Sequence, residues 1–219
     1  MDSHCNVNEW ISCHKMSKHK KSWMQEHVSD PFVKRANDEG WRSRAAFKLL
    51  EVIEQDRLVR PGMVVVDLGA APGGWSQVVS QCLCGDGLVL ALDILEMEDL
   101  PLVNFIQGDF NEQSTIGALE GQLLNRQVDL VISDMAPNIS GIKSIDQARW
   151  LNLAELALDF ARQHLTKDGG FLVKCFEGEG AQDYRENMKS SFQRVIRRKP
   201  KASRDRSSEF FLVGLNKID

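Results

Sequence analysis

The sequence predicts an α/β fold: a mostly parallel sheet with helices on both faces and an antiparallel C-terminal edge. Short apolar runs alternate with longer helical patterns from residue 63 onward. Strands separated by helices pair in parallel through crossovers that cover both faces of a sheet. The last two apolar runs are joined only by "PKASRDRSS", too short for a covering helix, so they are expected to run antiparallel. A length of 219 residues fits one large domain of this class.

Residues 1–22 are polar, rich in His, Lys and Ser, and lack apolar periodicity. They are expected to form a flexible basic leader ahead of a single domain over 23–219. Met16 begins "MSKHKKSW", so the first fifteen residues read as an extension the fold does not need. Between Trp23 and Ile53, the positions Ala45, Phe47, Leu49, Leu50, Val52 and Ile53 recur as on a partly buried helix, with Ser43 placed to cap it and Lys48 within it.

After the turn signal "RPG" at 60–62 come the strand candidates "MVVVDLG", "GLVLALDI", "VNFIQGD", "VDLVISD" and "GGFLVKCF", then "QRVIRRK" and "EFFLVGL". Amphipathic helical patterns fall between them at 74–84, 112–124, 147–165 and 181–192.

Composition excludes several classes. An apolar fraction of 42% and a charged fraction of 26% rule out a wholly disordered chain. No apolar segment approaches a membrane span and the N-terminus lacks the apolar core of a signal peptide, so a cytoplasmic protein with reduced thiols is expected. His4, Cys5, Cys13 and His14 lack recognised finger spacing, and Cys82 and Cys84 read as core filling, so no metal site is expected. The net charge of −4 argues against binding nucleic acid through charge alone. Basic residues nevertheless crowd into Lys15 to Lys48 and Arg194 to Arg206. If the fold joins these segments they form a basic face for phosphates; if not, they are solvated runs.

The stretch "VVVDLGAAPGGWS" is a strand, an acidic residue and a small-residue loop opening a helix. Gly69, Gly73 and Gly74 let a ligand approach the backbone. A dinucleotide fingerprint reads G-x-G-x-x-G, whereas this loop reads G-A-A-P-G-G and follows Asp67. An acidic strand end suits a cationic ligand such as S-adenosylmethionine. Asp93 closes the second strand, where a carboxylate accepts from ribose hydroxyls; Asp109 closes the third, within reach of an adenine amino group.

Asp134 follows the fourth strand and Lys174 interrupts the apolar end of the fifth. In an open parallel sheet both project beyond the carboxyl edge, where ligands bind. Glu209 opens the final run and is expected to approach from an antiparallel strand. Separately these residues read as a snorkelling lysine and a turn cap; neither explains the set.

The blocks "RSRAAFKLLE", "VVDLGAAPGGWSQ", "SDMAPNISG", "VKCFEGEG" and "SRDRSSEFFLV" resemble those of the FtsJ/RrmJ family of ribose 2′-O-methyltransferases from about Trp23 to near the C-terminus. The resemblance implies a Rossmann-like S-adenosylmethionine-dependent methyltransferase fold. It also implies a Lys-Asp-Lys-Glu catalytic tetrad at Lys48, Asp134, Lys174 and Glu209, with cofactor contacts from Gly73, Trp75, Asp93, Asp109 and Asp134. Block spacing and length are most similar to the bacterial branch acting on 23S rRNA of the large ribosomal subunit, with no obligate protein partner. The tRNA and mRNA-cap branches share the tetrad. Cys175 departs from the bacterial pattern, where a plain aliphatic is usual.

On this reading Lys174 takes the ribose proton late, or else stays charged and stabilises the oxyanion. The basic segments would hold RNA. A dehydrogenase and a non-catalytic RNA chaperone are the rival readings.

Overall fold

Asp30 and Pro31 start the first helix described by the computed structural model, which covers residues 30–204 and 206–218. The expected leader, the histidine and cysteine pairs within it, and residues 23–29 lie outside the described residues. Helix α1, Pro31–Asp38, has proline at its start, and Asp30 Oδ1 accepts from the Phe32 amide at 2.9 Å. Proline has no amide to leave unsatisfied there, and the carboxylate satisfies a free one.

Helix α2, Ala45–Asp56, begins where the sequence pattern places it, but Arg44 holds the cap position and its side chain does not cap the helix. The cap expected of Ser43 is not made; its hydroxyl packs against Gly74 instead.

The seven apolar runs all become strands: β1 Val64–Leu68, β2 Leu88–Asp93, β3 Val103–Gln107, β4 Val128–Ser133, β5 Leu165–Phe176, β6 Phe192–Arg198 and β7 Glu209–Lys217. The intervening helices are α3 Gly74–Cys82, α4 Gln113–Leu123, α5 Lys143–His164 and α6 Ala181–Lys189. Helix α5 starts earlier than the apolar pattern because "KSID" is polar apart from the exposed Ile145, so no periodicity marks its first turn.

The strands form one sheet in the order β3-β2-β1-β4-β5-β7-β6. Pairings from β3 to β5 are parallel, while β7 runs antiparallel to both β5 and β6. Strand order reverses between β1 and β4, the crevice where such sheets bind ligands. Because β7 enters antiparallel, its first residue, Glu209, pairs with Phe176 at the end of β5. A residue that opens a strand is thereby brought to the carboxyl edge.

Two cores cover the two faces. Val131, Phe171, Val173 and Cys175 pack with Leu119 of α4, Leu158 of α5 and Tyr184 of α6. Val65, Leu130, Ile132, Leu172, Phe211 and Val213 pack with Leu49 and Val52 of α2 and with Val78 and Val79 of α3. Side chains alternate between faces along a strand. Cys175 is a fully buried core residue whose thiol is pushed up by burial, which explains why it can replace an aliphatic. The core role expected of Cys82 and Cys84 holds less well: Cys82 is half-buried, and Cys84 is exposed beyond the helix end. No helix among the described residues is long and apolar enough to cross a membrane.

Candidate active site

Alternation assigns the charged edge to one face. Val65 points into the core under α2 and α3, so Asp67 faces the same way. Leu130 and Ile132 lead similarly to Asp134, Leu172 leads to Lys174, and Phe211 and Val213 share their face with Glu209. Lys48 reaches that side from α2.

Lys174 Nζ lies 2.9 Å from Asp134 Oδ1 and also donates to the Asp134 carbonyl oxygen. The Asp134 amide donates to Leu68 O at 3.1 Å, fixing the end of β4 against the end of β1. Lys48 Nζ lies 2.6 Å from Glu209 Oε1, which also accepts from Ser203 Oγ at 3.0 Å. Phe211 lies between the two ion pairs: it is the cross-strand partner of Lys174, and Lys48 Nζ sits 5.7 Å from its ring centre. Two amines and two carboxylates from far-apart segments therefore converge at one sheet edge. Both lysines are largely buried, and each charge has an opposite one beside it.

A cleft of about 880 Å3 opens at the carboxyl ends of β1, β2 and β4, and Gly69, Asp93, Asp109 and Asp134 all line it. Gly69 has φ +79, and a Cβ there would come within 2.8 Å of Met135 Cγ, so the loop and the segment after β4 meet only at glycine. Asp93 holds the walls in place: Oδ2 accepts from the Ala71 amide at 2.9 Å and Oδ1 from the Leu95 amide at 2.8 Å. Asp109 Oδ1 accepts from the Asn111 amide at 2.9 Å and its side chain at 2.7 Å, and these bonds hold the carboxyl below the usual range. A carboxylate oxygen accepts more than one bond, so both groups can still take ligand donors. Leu92, Ile94, Leu95 and Phe110 add apolar surface. This set of acceptors and apolar surface fits a ligand that joins a flat ring and hydroxyls to positive charge.

Three of the residues expected to touch cofactor, Asp67, Trp75 and Gly73, lie outside this cleft lining. Asp67 is fully buried and lies outside the cleft lining. Its Oδ2 accepts from Ser76 Oγ at 2.6 Å, while its Oδ1 is buried without a partner. Burial pushes its carboxyl up to about 7; the Ser76 bond opposes this, and the charges of Asp134 and Asp93 add to it. Trp75 is buried in the α2–α3 core, with Nε1 donating to Ala45 O at 2.9 Å and its ring 5.6 Å from that of Phe211. Gly73, at φ +101, caps α3, where a Cβ would come within 2.8 Å of Arg42 Nη1.

Arg42 is a residue that sequence reading assigned only to the basic run. Its guanidinium donates to Pro72 O at 3.4 Å, Glu98 O at 2.7 Å and Asp99 O at 2.8 Å, tying the glycine loop to the segment after β2. Met135, Asn138, Arg149 and Asn152 in the lining were also missed; direct succession to Asp134 was the available signal for the first two.

The described part of the first basic run, from residue 30, does meet the second. Arg44 pairs with Asp30 and donates to Ala202 O, Arg204 Nε lies 3.5 Å from Asp30, and the Lys201 amide donates to Glu51 at 2.8 Å. Arg198 makes a forked pair with Asp56 at 2.9 and 2.6 Å. Much of this basic charge fastens the segments together and is not simply presented outward.

Comparison with known proteins gives a consistent relationship. The family described as FtsJ-like methyltransferase matches residues 41–217. A protein named Ribosomal RNA large subunit methyltransferase E from Azoarcus sp. (strain BH72) is 57% identical over 202 residues, 92% of this chain and 98% of that protein. Its namesake from Methylobacillus flagellatus is 58% identical over 197 residues, 90% of this chain and 95% of the other. A crystal structure described as a ribosomal RNA methyltransferase from Plasmodium falciparum superposes with a TM-score of 0.73 at 28% identity, covering 81% of this chain and 98% of that one.

Proposed function

The chain belongs to the FtsJ-like methyltransferase family, and we propose that it uses S-adenosylmethionine to methylate the 2′-hydroxyl of a ribose, on a uridine, in 23S rRNA of the large ribosomal subunit in the cytoplasm. The observation that carries this reading is the Lys174–Asp134 pair, whose carboxylate lines the cleft while its amine is buried at the adjoining sheet edge. The relatives named for the ribosomal large subunit support the choice of RNA.

When bound, S-adenosylmethionine supplies a methyl group activated by a sulfonium centre. Asp93 and Asp109 would hold its adenosine part and Asp134 its cationic end. Asp67 would place a further carboxylate beneath the glycine loop. The chain's own contribution is alignment and charge. Bringing the ribose oxygen into line can remove several kcal/mol from the barrier. Lys48 and Glu209 position the ribose and balance charge, and Asp134 orients the Lys174 amine. On this reading Lys174 acts as the neutral amine, having first released its own proton to solvent, and it takes the hydroxyl proton as the carbon–oxygen bond forms.

The 2.9 Å contact with Asp134 favours a second reading of Lys174, in which the ammonium keeps its proton and stabilises the developing oxyanion while water takes the proton. A pH–rate profile separates the two. A rate that rises with pH through an ionisation lost in Lys174→Met supports proton transfer; a rate that falls through it, or a profile unchanged in shape, supports oxyanion stabilisation.

The substrate is tested by incubating the protein with cofactor labelled on the methyl group and separated ribosomal, transfer and messenger RNA. Label on one ribose of 23S rRNA is expected. Label confined to transfer RNA or a messenger cap would replace the substrate assignment, and no transfer to any RNA would favour a chaperone.

A further inference from the structure

Seven large apolar side chains are exposed among the described residues, and five of them lie on two segments bordering the cleft. Ile94 and Leu95 line it directly. Ile139, Ile142 and Ile145 follow the lining residues 134–138, and Ile139 is 81% exposed. Isolated exposed apolar residues need no explanation, but a cluster beside a site marks contact with a partner.

The segment that carries them is built to hold its shape. Asp146 Oδ1 accepts from the amide and hydroxyl of Ser140, each at 2.7 Å, and Oδ2 accepts from the Gly141 amide at 3.0 Å. Ser140 Oγ in turn accepts from the Ile142 amide at 3.2 Å. Arg149 Nη1 donates to Asn138 O at 3.2 Å, closing the other end. Local carboxylate and arginine bonds thus fix a loop whose isoleucines face water.

Lys143 and Arg149 are exposed beside the isoleucines. Apolar surface flanked by positive charge matches an unpaired nucleotide, which offers a base face and a phosphate. Aliphatic side chains serve as wedges that keep bases out of their stack, and a cationic groove beside such a surface tracks the backbone of a single strand.

We propose that the segment of residues 138–145, a loop running into the first turn of α5, is a nucleobase platform, on which Ile139 and Ile142 hold an unpaired base next to the target ribose. This rests on the RNA methyl-transfer reading above and names what that site grips besides the ribose. It also explains how the described residues, none of them an exposed aromatic near the cleft, engage an unstacked base.

The test is the double substitution Ile139→Ser with Ile142→Ser, at positions whose exposure spares the core. Methyl transfer is measured on large ribosomal subunits from cells lacking the enzyme, and affinity on their extracted 23S rRNA. A rise of about tenfold in KM and Kd for RNA is expected, with S-adenosylmethionine affinity and Tm unchanged and with recovery in the double leucine variant. RNA affinity and kcat/KM within about twofold of the parent would overturn the platform. If the parent protein transfers no methyl group, the proposed function fails; the rRNA binding ratio between parent and variant then decides the platform, about ten supporting it and unity overturning it. Sedimentation with vesicles of phosphatidylglycerol and phosphatidylcholine in equal parts is the third arm. Vesicle binding that the variant loses while its RNA affinity stays intact would assign the patch to a lipid surface and overturn the proposal.

Discussion

Lys48 on α2 and Glu209 at the start of β7 form a 2.6 Å ion pair that joins the helix layer to the strand inserted last into the sheet. With side chains only 13% and 11% exposed, the two charges depend on each other. Removing one partner of a buried pair leaves an uncompensated charge, at a cost on the order of 3 kcal/mol, whereas removing both costs less. Lys48→Met is therefore expected to lower stability by about that amount, and the double variant with Glu209→Gln to recover much of it. Both variants are expected to lose methyl transfer. Urea unfolding and single-turnover assays check the two halves separately.

Asp67 makes stability depend on pH. Its carboxyl titrates near 7 in the fold, against 3.8 in the unfolded chain. Between those values the folded state holds one proton more, so this group favours folding at the acid end and that advantage is lost as the pH rises through about 7. The slope it contributes reaches about 1.4 kcal/mol per pH unit. Asp67→Asn keeps the Ser76 contact and is expected to flatten unfolding free energy against pH over this range. An unchanged slope would mean that another group carries the dependence.

Trp75 separates packing from cofactor contact. Its indole is buried against Phe211 and bonds Ala45 O. Trp75→Phe should cost about 1 kcal/mol for the lost hydrogen bond and leave the Kd for S-adenosylmethionine within about threefold. A tenfold weaker Kd with stability intact would return Trp75 to the cofactor site.

Arg42 holds two walls of the cleft through three carbonyl oxygens. Arg42→Ala leaves those acceptors without their donor and frees the loop, so cofactor Kd is expected to rise roughly tenfold while kcat at saturating cofactor changes little. Titration calorimetry with steady-state kinetics reads both. A fall in kcat with unchanged Kd would place Arg42 on the RNA side.

The fold was legible because strand runs and helical patterns are long and regular: all seven runs became strands, and the antiparallel C-terminal pair emerged as expected. Positions at strand ends also placed Asp134, Lys174 and Glu209 at one edge. What the sequence hid was use. A carboxylate before a glycine loop reads the same whether it meets ligand or is buried on Ser76, as Asp67 is. Basic runs likewise do not reveal that Arg198 is committed to Asp56, or Arg44 to Asp30. Such pairings join residues far apart in the chain, and no local pattern encodes them. The Ser43 cap failed because the helix begins beyond it and its hydroxyl is used against α3.

The central claim is that the amine of Lys174, held by Asp134, acts on the ribose hydroxyl. Its most direct test is the single-turnover rate of methyl transfer to 23S rRNA by Lys174→Met, with cofactor and RNA binding measured on the same sample. The expected result is a rate lower by at least about a hundredfold with both ligands bound normally. Transfer at the parent rate would contradict the account.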